Sequence, residues 1–306
     1  MAAGRGWKRF RPTVVSIAGS DSGGGAGIQA DVRTLSAHGV WAATVVVAGT
    51  AQNTRGVRAV EPFSPRFVAR QIDAVFPDLV PAAVKVGMLY DEARVRAVAA
   101  GLRRHRARNV VLDPVLAATA GSPLLTGSGL RALRKEILPL CAIVTPNRSE
   151  AAHLAGMRAA KSEADLAEAA RRISELGAAA VLITGGDERG DRVRDLLWKD
   201  GTLRVFDYPR IATRATHGTG CILSSAIAAN LALGFELEPA VSRAILYVRT
   251  ALRRGVFPGG GAGAPGLFPT RSRTGTRPRP RPSRSSRSAP RRARKRGPGR
   301  GSSPSP

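Results

Sequence analysis

The chain predicts an α/β fold with a mostly parallel central sheet and helices on both faces. Three observations carry this expectation. Short β-branched apolar runs alternate with helically spaced segments from residue 13 to about residue 255. Runs such as Thr44 to Ala48 are apolar throughout, as strands covered on both faces are. The chemically suggestive residues sit just after those runs, where open α/β sheets bind ligands.

Val14 to Ala18 reads as a first strand that ends at Gly19. Ile28 to His38 reads as a helix, with Gly39 placed to close its C-terminus. Thr44 to Ala48 is a second strand. Ser64-Pro65 starts a helix, serine as the cap and proline in the first turn. Ala83 to Val86 is the next strand, and Asp91 opens a helix towards His105. Val110 to Leu112 leads into Asp113-Pro114, and Ala142 to Val144 leads into Thr145-Pro146-Asn147. Ser162 to Asp165 fits a capping box before a helix that stops at Gly177. Val181 to Ile183 is a strand. Leu196 to Trp198 and Leu203 to Phe206 form a hairpin around Lys199-Asp200-Gly201. The last helix is expected from near Cys221 to Gly234.

Of the 306 residues, 43% are hydrophobic, which excludes a wholly disordered chain. The net charge is +26, but 13 basic residues and no acidic ones lie between Val256 and Pro306. This divides the chain into a basic leader (1–12), an α/β domain (13–255) and a Gly/Pro/Ser/Arg-rich tail (256–306) expected to be disordered. Such a tail is a solvated polycation whose nucleic-acid contact would be non-specific, with no aromatic residue after Phe268 for base stacking. The two cysteines, Cys141 and Cys221, are too few for a disulfide framework and suit a reducing compartment, hence a cytoplasmic location. No apolar run approaches the ~20 residues of a membrane helix, so no membrane partner is expected.

Two glycine-rich clusters carry the chemistry. The first, Ala18 to Asp31, lets backbone approach a ligand closely. Gly25 to Ala30 fits a loose dinucleotide fingerprint, but Thr44 to Asn53 lacks the acidic residue that reading needs. A phosphate-binding loop of the Walker type would need a lysine, which the cluster also lacks. The plainer alternative is a flexible turn. The second cluster, Thr216 to Cys221, opens an apolar helix. Unpaired amides and the helix dipole there make an anion hole suited to phosphoryl transfer. Cys221 at that terminus is expected to have a lowered thiol pKa and to serve as a base on a substrate hydroxyl; the alternative is a small buried hydrophobe. His217 reads as tuning the loop. Asp113 and Glu150 are candidate ligands for Mg²⁺ carried with a nucleotide, or else helix caps or surface pairs. Gln52 and Asn53 suit the donor–acceptor edge of a flat heterocycle. Met88 would pack against such a ring, or simply fill core.

Ala18 to Asp31, Thr50 to Thr54, Val86 to Leu89, Leu112 to Val115, Thr145 to Glu150 and Thr216 to Cys221 together resemble the hydroxymethylpyrimidine/phosphomethylpyrimidine kinases of thiamine biosynthesis, members of the ribokinase-like superfamily. The resemblance spans about residues 13 to 255. It implies a ribokinase-like fold, a homodimer and two successive ATP-dependent phosphorylations of 4-amino-5-hydroxymethyl-2-methylpyrimidine. It places the pyrimidine near Gly19, Asp31, Gln52, Met88 and Val115, with Asp31 and Gln52 reading its polar edge. It makes Gly218, Thr219 and Gly220 the anion hole. It sets Cys221 where most ribokinase relatives have an aspartate base. Asp113, Asn147 and Glu150 would organise Mg²⁺ and phosphates through water, and Thr184 and Gly186 would face the nucleotide. Thr184 stands where the family usually has a phosphate-holding lysine, Asp187 where it has a histidine, and Ala215 where asparagine is common. The family's closing helix and Gly-His-Gly-Pro-type segment would be missing after Gly255. The nearest alternative is a pyridoxal or pyridoxine kinase. One from another class is a catalytically impaired pyrimidine-binding protein with a nucleic-acid-contacting tail.

Overall fold

The computed structural model describes residues 11–117 and 123–270. The chain begins with β1 (Thr13–Asp21), α1 (Gly27–Ala37), β2 (Trp41–Asn53) and β3 (Gly56–Pro62). It continues through α2 (Pro65–Leu79), β4 (Ala83–Val86), α3 (Glu92–Arg104), β5 (Val110–Leu112) and α4 (Gly127–Glu136). Then follow β6 (Cys141–Val144), α5 (Arg148–Ala155), α6 (Glu163–Glu175) and β7 (Ala180–Ile183). The hairpin β8 (Arg192–Lys199) and β9 (Thr202–Pro209) precedes α7 (Thr219–Ala232) and α8 (Leu237–Arg253).

The strands form one sheet in the order β3-β2-β1-β4-β5-β6-β7-β8-β9. From β2 to β7 neighbouring strands pair in parallel; β3, β8 and β9 extend the two edges antiparallel. The period of two along a strand sorts side chains into two cores. Val15 and Ile17 of β1 and Val84 and Val86 of β4 join the layer built with α2 to α6. Val14 and Ala83 join the layer built with α1, α7 and α8. In α7, Ile222 to Ala229 are all buried, and its alanines and serines let the helix lie close to the sheet.

The start signals act as expected. Ser64 accepts a hydrogen bond from the Phe67 amide at 3.2 Å, ahead of Pro65. Ser162 and Asp165 form a reciprocal capping box. Four elements were not anticipated: β3, α4, α5 (Arg148–Ala155) and α8. The second strand runs well beyond Thr44 to Ala48 and folds back into β3, whose exposed Arg58 and Glu61 hide its pairing in the sequence. α4 was not read at all. α8 was also missed, although Val241, Ala244, Ile245, Val248 and Ala251 line one buried stripe at helical spacing.

The boundary expected at residue 255 is corrected. Residues 256–270 are packed: Val256 and Ala264 exchange backbone hydrogen bonds at 2.9 Å, and Ala264 is buried. The Phe268 ring lies 4.7 Å from that of Tyr247, under the Arg254 guanidinium. A compositional bias towards Gly and Pro concealed backbone pairing that needs no side chains. The leader up to residue 10 and the basic run from 271 onward lie outside the described residues. Among the described residues no helix is long and apolar enough to cross a membrane.

Candidate active site

A cavity of about 880 Å³ opens beyond the C-terminal ends of the parallel strands. Gly19, Gln52, Met88 and Val115 line it on the side of β2, β1 and β4, and Thr184 and Gly186 line it beyond β7. Asp113, after the central β5, lies between. α7 packs across β1, β4 and β5, which brings Gly218 to Cys221 to the middle of the cavity.

The anion loop is built by close approach. Gly218 caps α7 in the left-handed region at φ 82°, and a Cβ there would run into the Gly25 carbonyl. Its counterpart, residues 21–26, is wound around one carboxylate. Asp21 accepts from the amides of Gly23 (2.8 Å), Gly25 (3.0 Å) and Ala26 (2.8 Å), and from His217 Nε2 at 3.1 Å. Burial raises the Asp21 pKa, but the His217 hydrogen bond and these amides hold it below the usual carboxylate range. Among the described residues, the amides of Gly220 and Cys221 have no acceptor. They point out of the helix start, as an anion requires.

Under this loop lies a buried polar set. Lys85 Nζ is 2.9 Å from Asp31 Oδ2 and 3.9 Å from Asp113 Oδ2. Asp31 also accepts from Ser16 Oγ (2.6 Å) and Ser225 Oγ (2.8 Å). The expected role of Asp31 in reading the pyrimidine edge is therefore corrected. Its oxygens are spent on Lys85 and two serines, and it is sealed from the cavity. Lys85, which does line the cavity, was missed; a lysine inside the apolar run Ala83 to Val86 was the available signal. Burial opposes its charge, but Asp31, Cys221 and Asp113 keep its pKa above the ordinary value.

The expectation of an acidified Cys221 thiol is also corrected. Burial, with the carboxylates of Asp113 and Asp31, pushes it up to about 12 despite Lys85 and the Gly27 amide. At that value the thiol holds its proton at neutral pH, beside the Asp113 carboxylate. Burial and the nearby Asp31 charge push Asp113 up as well, against Lys85. Burial and Asp113 bring Glu150 to about 8.

Asn147 and Glu150 form a reciprocal capping box on α5, so the helix-cap alternative holds for both. Glu150 Oε1 also takes the Leu116 amide at 3.4 Å. Both residues still line the cavity. Among the described residues no three or more His, Cys, Asp or Glu side chains converge to hold a metal. Asp113 and Glu150, crowded with negative charge, nevertheless suit a cation that keeps its waters and binds chiefly to phosphate oxygens.

On the far side, Gly185 donates to Asp195 at 2.9 Å, Tyr208 donates to the same carboxylate, and Arg210 holds the Gly186 carbonyl at 2.7 Å. Leu223, Ile245, Val248 and Leu252 add an apolar wall. Most of that wall comes from α8, so it escaped the sequence reading with the helix itself.

The family model described as Phosphomethylpyrimidine kinase matches residues 21–265. The chain belongs to that family. The match passes Gly255 into the packed segment after α8, although no Gly-His-Gly-Pro stretch occurs there. The hydroxymethylpyrimidine/phosphomethylpyrimidine kinase of Rhizobium meliloti is 52% identical over 238 residues, covering 78% of this chain and 89% of that one. Its Escherichia coli counterpart is 45% identical over 219 residues, 72% of this chain and 82% of that one. Among solved structures, Bacillus subtilis pyridoxal kinase in an ADP complex superposes with a TM-score of 0.79 at 32% identity, over 84% of this chain and 97% of that one. Clostridium difficile phosphomethylpyrimidine kinase superposes with a TM-score of 0.70 at 37% identity, over 78% of this chain and 98% of that one. The protein is thus a ribokinase-like phosphotransferase.

Proposed function

We propose that the protein transfers the γ-phosphoryl group of ATP to the hydroxymethyl oxygen of 4-amino-5-hydroxymethyl-2-methylpyrimidine, and then phosphorylates that monophosphate to the diphosphate. The supporting observation is that a ring seat and an anion hole share one cavity. Gln52, Met88 and Val115 flank a flat ligand; the Gly220 and Cys221 amides face its reacting end across Asp113.

The residues divide the work. Gln52 pairs with the polar edge of the ring, while Met88 and Val115 pack against its faces. Thr184 and Gly186, with Asn147, border the phosphate tail of the nucleotide. The amides at the start of α7 stabilise the charge that spreads over the migrating group. The proton leaving the substrate hydroxyl passes to the Cys221–Asp113 pair, where the raised Asp113 carboxylate is the acceptor. Mg²⁺, held by Asp113 and Glu150 through water, would neutralise phosphate charge. The same reading carries a cytoplasmic homodimer, the latter checked by sedimentation.

The test is ATP consumption with the aminopyrimidine and with pyridoxal side by side. The expected result is turnover with a clear preference for the aminopyrimidine. A preference for pyridoxal would support the second reading, which the pyridoxal-kinase neighbours favour. Binding without turnover would support a non-catalytic binding protein.

A further inference from the structure

Gln52 is the one polar side chain at the ring seat whose two ends are chemically opposite yet equal in shape. Hydrogen-bond partners alone decide which end points where. As placed, Gln52 Nε2 lies 3.4 Å from His217 Nε2 and Gln52 Oε1 lies 3.1 Å from Thr50 Oγ1.

Both partners are themselves already committed. His217 Nε2 is 3.1 Å from the Asp21 carboxylate, which can only accept, so that nitrogen carries a hydrogen whether the ring is neutral or charged. A second N–H group there would face donor against donor. Thr50 has a single hydroxyl proton, and it goes to the Ser20 carbonyl at 2.9 Å. Its oxygen is left to accept. The consistent arrangement turns the amide oxygen of Gln52 towards His217 and its NH₂ group towards Thr50.

His217 immediately precedes the anion loop, so this orientation has a consequence at the site. It rests on the aminopyrimidine reading above. In that ring the exocyclic amino group sits beside the carbon bearing the hydroxymethyl, with a ring nitrogen on its other side. The amino group donates to an amide oxygen, and the ring nitrogen accepts from an NH₂ group. An oxygen on the His217 side therefore draws the amino group, and the hydroxymethyl with it, towards Gly218 to Cys221. The reverse amide would seat the ring the other way round, with its hydroxyl away from the amides.

We propose that His217, backed by Asp21, is a positioning residue that fixes the orientation of the Gln52 amide and thereby the direction in which the substrate ring lies. Its backbone serves the same junction, since the His217 amide donates to the Gly263 carbonyl at 3.0 Å.

The test compares kcat/KM for the aminopyrimidine and for its 4-oxo analogue, whose edge presents a carbonyl and a ring N–H in reversed order. Wild type should prefer the amino compound by on the order of 10- to 100-fold, because the reversed edge leaves buried polar groups unpaired. His217→Met removes the N–H at similar length. It should raise KM for the aminopyrimidine by roughly tenfold, leave KM for ATP unchanged, and shrink the discrimination to about threefold or less. His217→Gln restores a donor at the same reach and should restore the discrimination. An inactive His217→Met beside an active, discriminating His217→Gln also supports the assignment. Undiminished discrimination in His217→Met, loss of activity in both variants, or a wild-type preference for the oxo compound would overturn it. A wild type that turns over neither compound would remove the substrate reading, and the inference with it.

Discussion

Lys85 Nζ lies 2.9 Å from Asp31 Oδ2 beneath the start of α7, and both side chains are fully buried. Ser16 and Ser225 also donate to Asp31, one to each carboxylate oxygen. The pair is thus complete, and removing one partner strands the other charge. Lys85→Met should lower unfolding stability by about 3–5 kcal/mol. Combining it with Asp31→Asn should recover most of that loss, since the serines can still bond the amide. Urea denaturation checks both; a single variant within about 1 kcal/mol of wild type would mean that the pair is not desolvated as described.

Cys221 should behave as a protonated thiol. With its pKa pushed up to about 12, iodoacetamide at neutral pH should label it far more slowly than an exposed cysteine. If the hydroxyl proton leaves through the thiol, Cys221→Ala should lower turnover by on the order of 10²- to 10⁴-fold with little change in KM for ATP. An unchanged rate would remove the thiol from the proton path.

Glu150 predicts a pH dependence with a definite sign. Its carboxyl rises from an ordinary 4.5 to about 8 on folding, chiefly through burial and then through Asp113. The folded protein therefore keeps a proton that the unfolded chain releases. Its contribution is intact below about pH 4.5 and is lost as the pH climbs to about 8. Without divalent cations, Tm should fall across this window, and Glu150→Gln should flatten the fall. Equal slopes in wild type and variant would contradict the assignment.

Residues 256–270 should matter although their composition suggests otherwise. Ala262 donates to the Thr54 carbonyl at 2.8 Å, and Gly263 donates to Arg214 at 3.1 Å. The segment thus ties the β2–β3 hairpin to the irregular stretch between β9 and the anion loop. A chain ending at Gly255 should lose both stability and turnover, whereas one ending at Thr270 should retain them. Thermal melts and ATP consumption on the two truncations separate the outcomes; equal behaviour would show the contacts to be incidental.

The central strands and the two glycine clusters were legible because local pattern determines them. Apolar runs report burial on both sheet faces, and Gly218 reports a left-handed turn. What stayed hidden depends on tertiary partners. Asp31 looked like a ligand-binding carboxylate because nothing in the sequence says that Lys85, Ser16 and Ser225 converge on it. Cys221 looked acidified because its helix terminus is visible in the sequence, whereas its burial beside Asp113 is not. Asp21 stands out in the sequence only as a polar residue at a strand end, yet three amides and His217 make it the anchor of that loop. α8 carries a clear helical stripe, but it adjoins a Gly- and Pro-rich segment whose composition masks it.

The most direct measurement follows the product itself by phosphorus NMR, with the full-length protein, ATP, Mg²⁺ and the aminopyrimidine. A phosphomonoester signal should appear first and give way to a diphosphate as ATP is consumed. ATP left intact, or phosphate released as the inorganic ion without any ester of the pyrimidine, would contradict a ring seat and an anion hole acting on one hydroxyl.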